Sequence, residues 1–272
     1  GQAYADSVPV LLLSSTNARA TLGKGWGCLH ESADQQRLTE AITAFSKTAM
    51  APDDVPELLG QAFGSFAAGR PRPVHVAVPL DVLEAPVDGR WVARALPARP
   101  LAAREAIRAG AALLADAERP VIIVGGGAVG GGAAVTRLAE WLDASVIATN
   151  AGKGVVPDSH PLSLGGGLIR QAVRDHLAEA DVILALGTEL APTDSFVECL
   201  PIGGRLVRVD IDSGKLNDAY PSEVGILGDA AEAAAALLAA LDETVGGPRQ
   251  GGGRARVAAA RRRMLEGLSP VE

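Results

Sequence analysis

Short apolar runs alternate with helix-like stretches along residues 101–244, and this alternation constrains the fold more than any other feature. The runs have the length of strands, are rich in Val, Ile and Leu, and lie at 121–124, 145–149, 182–186, 205–211 and 224–227. The stretches with apolar residues at helical spacing lie at 101–117, 133–142, 169–178 and 230–241. A wholly apolar run is typical of a parallel strand that is covered on both faces. The sequence therefore predicts an α/β domain over residues 101–244 with a doubly wound parallel sheet.

The preceding part of the chain, residues 1–88, repeats this pattern in a shorter form. It has strand-like runs at 8–14 and 74–78, a helix at 56–68, and a helix-like segment that begins near residue 38. Two strands make too small a sheet to bury one face. We therefore expect an incomplete α/β domain whose partner strands lie outside this sequence.

Two segments have the composition of linkers. Residues 86–100 contain too many Pro and Gly residues for a helix or a central strand, and we place a linker at 89–100. Residues 245–272 contain six Arg and two Glu, begin with glycine-rich sequence, and continue as a helix-prone stretch. We interpret 245–272 as a linker with a surface helix that leads to a further domain. A basic arm for an anionic partner is the alternative.

The composition is that of a globular protein without a disulfide framework. Hydrophobic residues make up 48% of the 272 residues and aromatic residues only 3%, so the core must be aliphatic. The net charge of −7 argues against a nucleic-acid-coating protein.

Residues 8–13 form an apolar run far shorter than the roughly 18–20 residues that span a bilayer. Cys28 and Cys199 match no disulfide or zinc pattern, so we expect a cytoplasmic protein. Because the chain begins with Gly1 rather than Met, we expect it to be a piece of a longer protein.

A glycine-rich turn at residues 125–130 (GGGAVG) follows one predicted strand and precedes a predicted helix. Its spacing matches G-x-G-x-x-G, in which backbone N–H groups approach a phosphate at a helix N-terminus. The dinucleotide fingerprint also requires an acidic residue about 20 positions later, but the next strand ends at Thr149 and Asn150. A standard NAD site is thereby disfavoured. Two interpretations stay open, namely a nucleotide or diphosphate held in another way and a turn that needs glycine only for close packing.

Polar residues at strand ends and in one loop are further candidates for a site. Asp210, Asp212 and Asp229 follow predicted strands, where carboxylates either accept hydrogen bonds from ribose hydroxyls or cap the next helix. His30 follows a glycine-rich loop at 23–27, and a histidine in such a polar loop suits proton transfer near neutral pH.

These segments together resemble the acetolactate-synthase-like thiamine-diphosphate-dependent enzymes. The second half of that family's pyrimidine-binding domain resembles residues 3–10 (AYADSVPV), 29–31 (LHE), 69–74 (GRPRPV) and 78–82 (VPLDV). The family's central domain, which has a Rossmann-like, sirtuin-type fold, resembles residues 119–128 (RPVIIVGGGA), 152–154 (GKG), 160–162 (HPL), 180–188 (ADVILALGT), 209–212 (VDID) and 228–229 (GD). The resemblance implies that residues 1–88 are a partial pyrimidine-binding domain and that residues 245–272 lead to a missing diphosphate-binding domain.

The resemblance also implies an activity. The intact enzyme would use thiamine diphosphate and Mg²⁺ to decarboxylate a 2-oxo acid, whose product is then protonated or captured by a second carbonyl. His30 stands where the family often has a Gln or His in its active site, so it is the candidate catalytic residue. The family's activating Glu and its Gly-Asp-Gly…Asn motif are missing from this sequence. We therefore assign no metal ligands and expect this chain alone neither to bind the cofactor tightly nor to turn over. The family implies a homodimer or homotetramer.

An FAD or an ADP-like nucleotide on the central domain is a further implication. The candidate cofactor-binding residues are Arg70, Gly125, Gly126, Gly127, Gly165, Thr188, Asp210, Asp212 and Asp229. Several departures point away from a true acetolactate synthase. Ala44 replaces a usual Lys, residues 164–168 (LGGGL) replace a segment under the flavin, and Glu189 replaces an Arg that contacts FAD, so that its carboxylate would repel a flavin diphosphate. Residues 29–31 (LHE) and 187–190 (GTEL) together look closer to 2-oxo acid decarboxylases, such as the guanidino-oxopentanoate type. The alternative is a stand-alone nucleotide- or FAD-binding module of the same fold.

Overall fold

The computed structural model describes residues 1–245 and 247–266 of the chain. The chain divides into two compact units between Arg99 and Pro100, at the end of the predicted linker. Among the described residues, no helix has both the length and the apolar character needed to cross a membrane.

The first unit contains a small parallel sheet and four helices. In chain order its elements are α1 (Gln2–Ala5), β1 (Leu11–Thr16), α2 (Gln35–Glu40), β2 (Phe45–Thr48), α3 (Asp54–Ala68), β3 (Val74–Pro79) and α4 (Leu80–Leu83). The strand order is β1–β3–β2, with all pairs parallel. Strand β3 is central and fully buried, whereas Leu12 and Leu13 on the edge strand β1 are exposed.

The prediction of only two strands in this unit was wrong, because β2 forms a third. Its sequence, FSKT, shows no apolar alternation. Phe45 packs against the hydrophobic core of this unit, but Ser46, the buried residue of the strand, is polar. Ser46 is buried because its hydroxyl lies 2.8 Å from Nδ1 of His75 on β3. Ser14 Oγ, on β1, lies 2.7 Å from the other ring nitrogen of His75. A buried histidine bonded to hydroxyls therefore joins the three strands.

The second unit contains a five-stranded sheet and helices of 8 to 16 residues. In chain order its elements are α5 (Arg104–Ala115), β4 (Pro120–Val124), α6 (Gly132–Leu142), β5 (Ser145–Ala148), α7 (Gln171–Ala178), β6 (Val182–Leu186), β7 (Arg205–Asp210), β8 (Val224–Leu227), α8 (Ala230–Val245) and α9 (Gly253–Glu266). The strand order is β5–β4–β6–β7–β8 and every pair is parallel. The predicted doubly wound parallel sheet is confirmed, and the chain reverses its direction of winding between β4 and β6.

Alternating residues of the strands face two separate cores. Ile122 and Leu184 face the core that α5, α6 and α8 cover, whereas Ile123 and Ile183 face the core that α7 and α9 cover. This arrangement explains why the predicted strands are apolar throughout.

Helix α9, which lies in the segment predicted as a linker, packs on the second unit. Val257 and Ala260 are fully buried in the same core as α7. Arg261 donates hydrogen bonds to the backbone carbonyls of Asp158, His160 and Ser163. Residues 253–266 are therefore part of this unit's packing rather than a free arm.

Candidate functional site

The carboxyl ends of β4 and β6 meet where the winding of the second sheet reverses, which is where doubly wound sheets bind ligands. The glycine-rich turn follows β4, and Gly187 and Thr188 follow β6. The two segments pack against each other with their backbones in contact. A Cβ atom added to Gly125 would lie 2.3 Å from the carbonyl oxygen of Gly187 and 2.6 Å from Cβ of Thr188.

The amides of this turn are engaged in that packing. Gly125 N–H donates to the carbonyl of Leu186 at 2.9 Å, and Gly127 N–H donates to the carbonyl of Gly187 at 3.0 Å. These two donors are therefore occupied in this conformation and do not face a phosphate. Gly126 is exposed, and a Cβ added to it would meet only Cβ of Ala151, at 3.1 Å. The geometry is that of the close-packing turn, one of the two interpretations that the sequence left open.

The start of α6 is also covered by protein. A Cβ atom on Gly132, the first residue of α6, would lie 2.6 Å from the carbonyl oxygen of Val155. The backbone of Val155 therefore packs closely against the first turn of α6, and a side chain larger than glycine at position 132 would clash with it.

The three candidate aspartates lie after β7 and β8 and bond to nearby backbone. Asp210 is 3% exposed, and its carboxylate accepts from the N–H of Asp212 at 2.9 Å. Asp212 accepts from Gly214 N–H at 2.9 Å. Asp229 accepts from two N–H groups in the first turn of α8, at 3.0 and 3.1 Å, as a helix cap does. The capping interpretation thus describes Asp229 and the turn at Asp212.

Two further candidates flank the turn. Thr188 is buried, and its hydroxyl accepts from Leu190 N–H at 3.0 Å. Gly165 has a φ of +57°, and its carbonyl accepts from Ala148 N–H at the end of β5. Both residues shape loops at the carboxyl edge of the sheet and use backbone contacts to do so.

Glu189 faces a cation at this edge. Its carboxylate lies 2.7 Å from Nζ of Lys215, and both side chains are about one-quarter exposed. Because Lys215 offsets its charge, Glu189 would repel a nearby diphosphate less than the sequence alone indicated. The ion pair also gives the edge of the sheet between β6 and β7 a fixed polar surface.

Sequence reasoning missed Arg208, the largest side chain that is fully buried in the structure. It lies in the centre of the sheet, and its Nη1 is 2.5 Å from Oδ1 of Asp218. It also donates to the carbonyls of Tyr220, at 3.2 Å, and Thr188, at 3.4 Å. An arginine inside the apolar run LVRVD was the available signal, since a charge in a buried strand must be paired.

Arg19 is a second residue that the sequence analysis did not single out. At the carboxyl edge of the first sheet it donates hydrogen bonds to the segments that follow β2 and β3. It lies after β1, and its backbone N–H and Nε donate to the carboxylate of Asp81, after β3, at 2.9 and 2.8 Å. Its Nη1 donates to the carbonyl of Met50, after β2, at 2.8 Å. Since Arg19 donates to Asp81 from both its backbone and its side chain, the pKa of that carboxyl lies below its ordinary value.

His30 belongs to the loop that leaves this same edge, residues 17–31, which we name the His30 loop. Its side chain is exposed, and its φ of +57° is left-handed. Arg70, in contrast, precedes β3 and donates to the hydroxyl of Ser7, which precedes β1, at 3.1 Å. Arg70 therefore lies near the amino ends of the strands, and the structure does not bring it together with His30.

Among residues 1–245 and 247–266, no group of three or more His, Cys, Asp or Glu side chains is arranged to hold a metal ion. A surface concavity of about 750 Å³ lies near the amino ends of β6 and β7. Its lining includes Asp181, Arg205 and Tyr220. It is thus at the opposite end of the sheet from the expected ligand edge. The described residues do not fit a Mg²⁺–diphosphate anchor.

Comparisons with known proteins identify the second unit. Residues 107–237 match the family model described as the central domain of thiamine pyrophosphate enzymes. Over these residues the chain is similar to the central domain of thiamine pyrophosphate enzymes. Its alignment with "Probable 2-ketoarginine decarboxylase AruI" from Pseudomonas aeruginosa has 50% identity over 245 residues, 89% of this chain and 44% of the relative. Its alignment with "Probable acetolactate synthase large subunit" from Methanocaldococcus jannaschii has 31% identity over 257 residues, 88% of this chain and 42% of the relative.

One solved structure shares the fold. The "X-ray structure of a putative thiamin diphosphate-dependent enzyme isolated from Mycobacterium smegmatis" superposes with a TM-score of 0.74 at 22% identity. The superposition covers 88% of this chain and 47% of that one. The chain thus spans less than half the length of the relatives that it matches.

Proposed function

We propose that this chain is part of a thiamine-diphosphate-dependent 2-oxo acid decarboxylase whose substrate has a guanidino side chain. The observation that supports this most strongly is the 50% identity to a 2-ketoarginine decarboxylase, against 31% for an acetolactate synthase over a similar length. Thiamine diphosphate, with Mg²⁺, would supply the carbanion chemistry that releases CO₂. We assign no residue of this chain to the anchoring of these groups, because no cluster of His, Cys, Asp or Glu among the described residues is arranged to hold a metal ion.

His30 is the residue of this chain that we assign to the chemistry. Its exposed imidazole stands on a loop at the carboxyl edge of a parallel sheet, where functional groups of α/β proteins lie. An imidazole can hold or donate a proton near neutral pH, and it can also bind a substrate carboxylate. His30 is therefore proposed as the group that delivers a proton to the decarboxylated product.

The engaged amides of Gly125 and Gly127 count against the alternative of a stand-alone nucleotide-binding module. No observation of the structure favours FAD as a ligand of this chain. We propose that the complete protein is a cytoplasmic homodimer or homotetramer. The free Cys28 and Cys199 agree with a reducing compartment.

The test uses the full-length protein with thiamine diphosphate and Mg²⁺. We expect faster CO₂ release from 5-guanidino-2-oxopentanoate than from pyruvate, and no acetolactate. Preference for pyruvate with acetolactate as the product would overturn the substrate assignment.

The role of His30 is tested by two substitutions and one control. We expect His30→Asn to lower kcat about 10²-fold, the lower end of the range for general acid catalysis, without a change in thermal stability. His30→Gln keeps a hydrogen-bond donor but transfers no proton, so recovery of activity in this variant would indicate binding rather than proton transfer. Ser32→Ala, at an exposed position two residues away, should behave as wild type. An unchanged kcat for His30→Asn would refute the role.

A further inference from the structure

The His30 loop has little regular structure, and one carboxylate holds its second half. Oε1 of Glu31 accepts from the N–H of Gly25 at 2.9 Å. Oε2 of Glu31 accepts from the N–H groups of Gly27 at 2.7 Å and Cys28 at 3.0 Å. Gly25 and Gly27 have φ values of +66° and +77°, which turns their amides toward a common point. Successive amides in such a conformation form a concavity that suits an anion, here the protein's own side chain.

Both neighbours of His30 are tied to the rest of the loop. Leu29 accepts at its carbonyl from Nδ2 of Asn17, at the end of β1, at 2.9 Å. Glu31 donates its backbone N–H to the carbonyl of Cys28 at 2.9 Å. His30 is thus held between two fixed residues in a left-handed conformation that a non-glycine residue adopts only when its surroundings impose it.

The surroundings of Glu31 fit an acceptor rather than a group that transfers protons. Desolvation by itself would raise the pKa of its carboxyl. The hydrogen bonds from Gly27, Cys28 and Gly25 outweigh this, so the pKa lies below its ordinary value. The carboxylate therefore stays ionised near neutral pH, with its two oxygens directed to the backbone.

We propose that Glu31 is a positioning residue, whose carboxylate fixes the His30 loop so that the imidazole of His30 is presented in one orientation. This inference rests on the proposed function, because it assigns a purpose to the orientation of His30. Glu31 acts through the loop and touches neither substrate nor cofactor.

The first measurement needs no activity. Hydrogen–deuterium exchange of the full-length protein, read on peptides that cover residues 22–31, compares wild type with Glu31→Ala, Glu31→Gln and the control Glu40→Gln. Glu40 is an exposed acid on α2 in the same unit. We expect the amides of Gly25, Gly27 and Cys28 to exchange about tenfold faster or more in Glu31→Ala, since each loses a charge-assisted hydrogen bond.

Glu31→Gln should lie between wild type and Glu31→Ala. Its single carbonyl oxygen can accept from Gly27 and Cys28, but its NH₂ group would face the N–H of Gly25. Glu40→Gln should exchange as wild type. Equal exchange in wild type and Glu31→Ala would overturn the proposal whatever the activity.

The second measurement is the steady-state decarboxylation by the same variants. We expect Glu31→Ala to lower kcat about tenfold with a KM within twofold of wild type, because the misplaced imidazole affects the reaction more than substrate binding. Glu31→Gln should recover part of the loss. A lowered kcat in His30→Asn together with an unchanged kcat in Glu31→Ala would reject the positioning role and leave the proposed function intact. If wild type decarboxylates no 2-oxo acid, the proposed function fails, and with it the purpose assigned to Glu31, whatever the exchange data show.

Discussion

Arg208 and Asp218 form an ion pair across the boundary between the core and the surface of the second unit. Arg208 Nη1 lies 2.5 Å from Asp218 Oδ1, and the side chains are 1% and 27% exposed. Burial alone would raise the pKa of Asp218, but the hydrogen bond from Arg208, the N–H of Tyr220 and the charge of Lys215 together lower it. Because Asp218 pairs with it, the charged guanidinium of Arg208 can be buried in an otherwise apolar strand.

The first prediction concerns the removal of the Asp218 carboxylate, the partner of Arg208. Asp218→Asn should lower the free energy of unfolding by about 3 kcal/mol, the low end for a broken buried pair, because Asp218 is partly exposed. Chemical denaturation measures this loss. Glu223→Gln is the matched control. Glu223 lies 3.8 Å from Arg205, which is on the same strand as Arg208, and both side chains of this pair are about half exposed. The control should change stability by less than about 0.5 kcal/mol. Equal effects of the two substitutions would contradict the burial argument.

The second prediction tests the packing of the glycine-rich turn. Gly125→Ala would place a methyl group 2.3 Å from the carbonyl of Gly187, so the ends of β4 and β6 must separate. We expect the free energy of unfolding to fall by at least about 2 kcal/mol, in the range of overpacked cores, and thermal unfolding measures this change. Gly166→Ala is the control, because Gly166 lies at the same edge of the sheet, has a φ of −76°, and an added Cβ would meet no atom within 4 Å. Its stability should stay close to that of wild type. A stable Gly125→Ala protein would show that the turn moves easily.

The third prediction concerns acid. Burial lowers the pKa of His75. Burial also lowers the pKa of His176, and the charges of Arg256 and Arg263 lower it further, whereas the charge of Glu179 raises it by less than the burial lowers it. The native state therefore favours the neutral rings, while the unfolded chain takes up protons below about pH 6.5. Stability should be fully present above that pH and decline as the pH falls toward the native pKa values. His75→Gln and His176→Gln should each make denaturation midpoints between pH 7 and 5 less dependent on pH. An unchanged pH dependence in both variants would be inconsistent with this explanation.

The fourth prediction tests the contribution of α9. Val257 is fully buried against the core that α7 covers, so Val257→Ala should cost about 2 kcal/mol from two lost methyl groups and a residual cavity. Arg262→Ala, on the exposed side of the same helix, should leave the unfolding midpoint within experimental error. If both variants melt as wild type, α9 contributes nothing to this core.

The sequence predicted the second sheet well because strands β4, β5 and β6 are buried at every position. Val182–Leu186 has the predicted limits, since apolar residues are needed along its whole length. The edge strand Val224–Leu227 also has the predicted limits, although only Ile226 is buried there. Strand β2 could not be found in this way, because Ser46 faces inward only to meet His75, which lies 29 residues later. The pairing of two polar side chains across strands leaves no local pattern.

The candidate site followed the same rule. His30 was predicted from a glycine-rich loop and a motif, both local signals. The carboxylate of Glu31 binds backbone amides, and no residue type at those positions indicates such contacts. The guanidinium of Arg19 binds the carbonyl of Met50 and the carboxylate of Asp81, which lies 62 residues later, so no local pattern indicates this contact either.

The position of α9 at the end of this chain has a consequence for synthesis on the ribosome. All five strands and α8 precede it, so the nascent polypeptide can assemble its sheet and cover one side with α5, α6 and α8. The other side, with Ile123, Ile147 and Ile183, stays only partly covered by α7 until Val257 and Ala260 emerge. At roughly 5–20 residues per second, that interval lasts about one to a few seconds. During this interval, the nascent chain exposes an aliphatic surface to which a chaperone or a neighbouring nascent chain can bind.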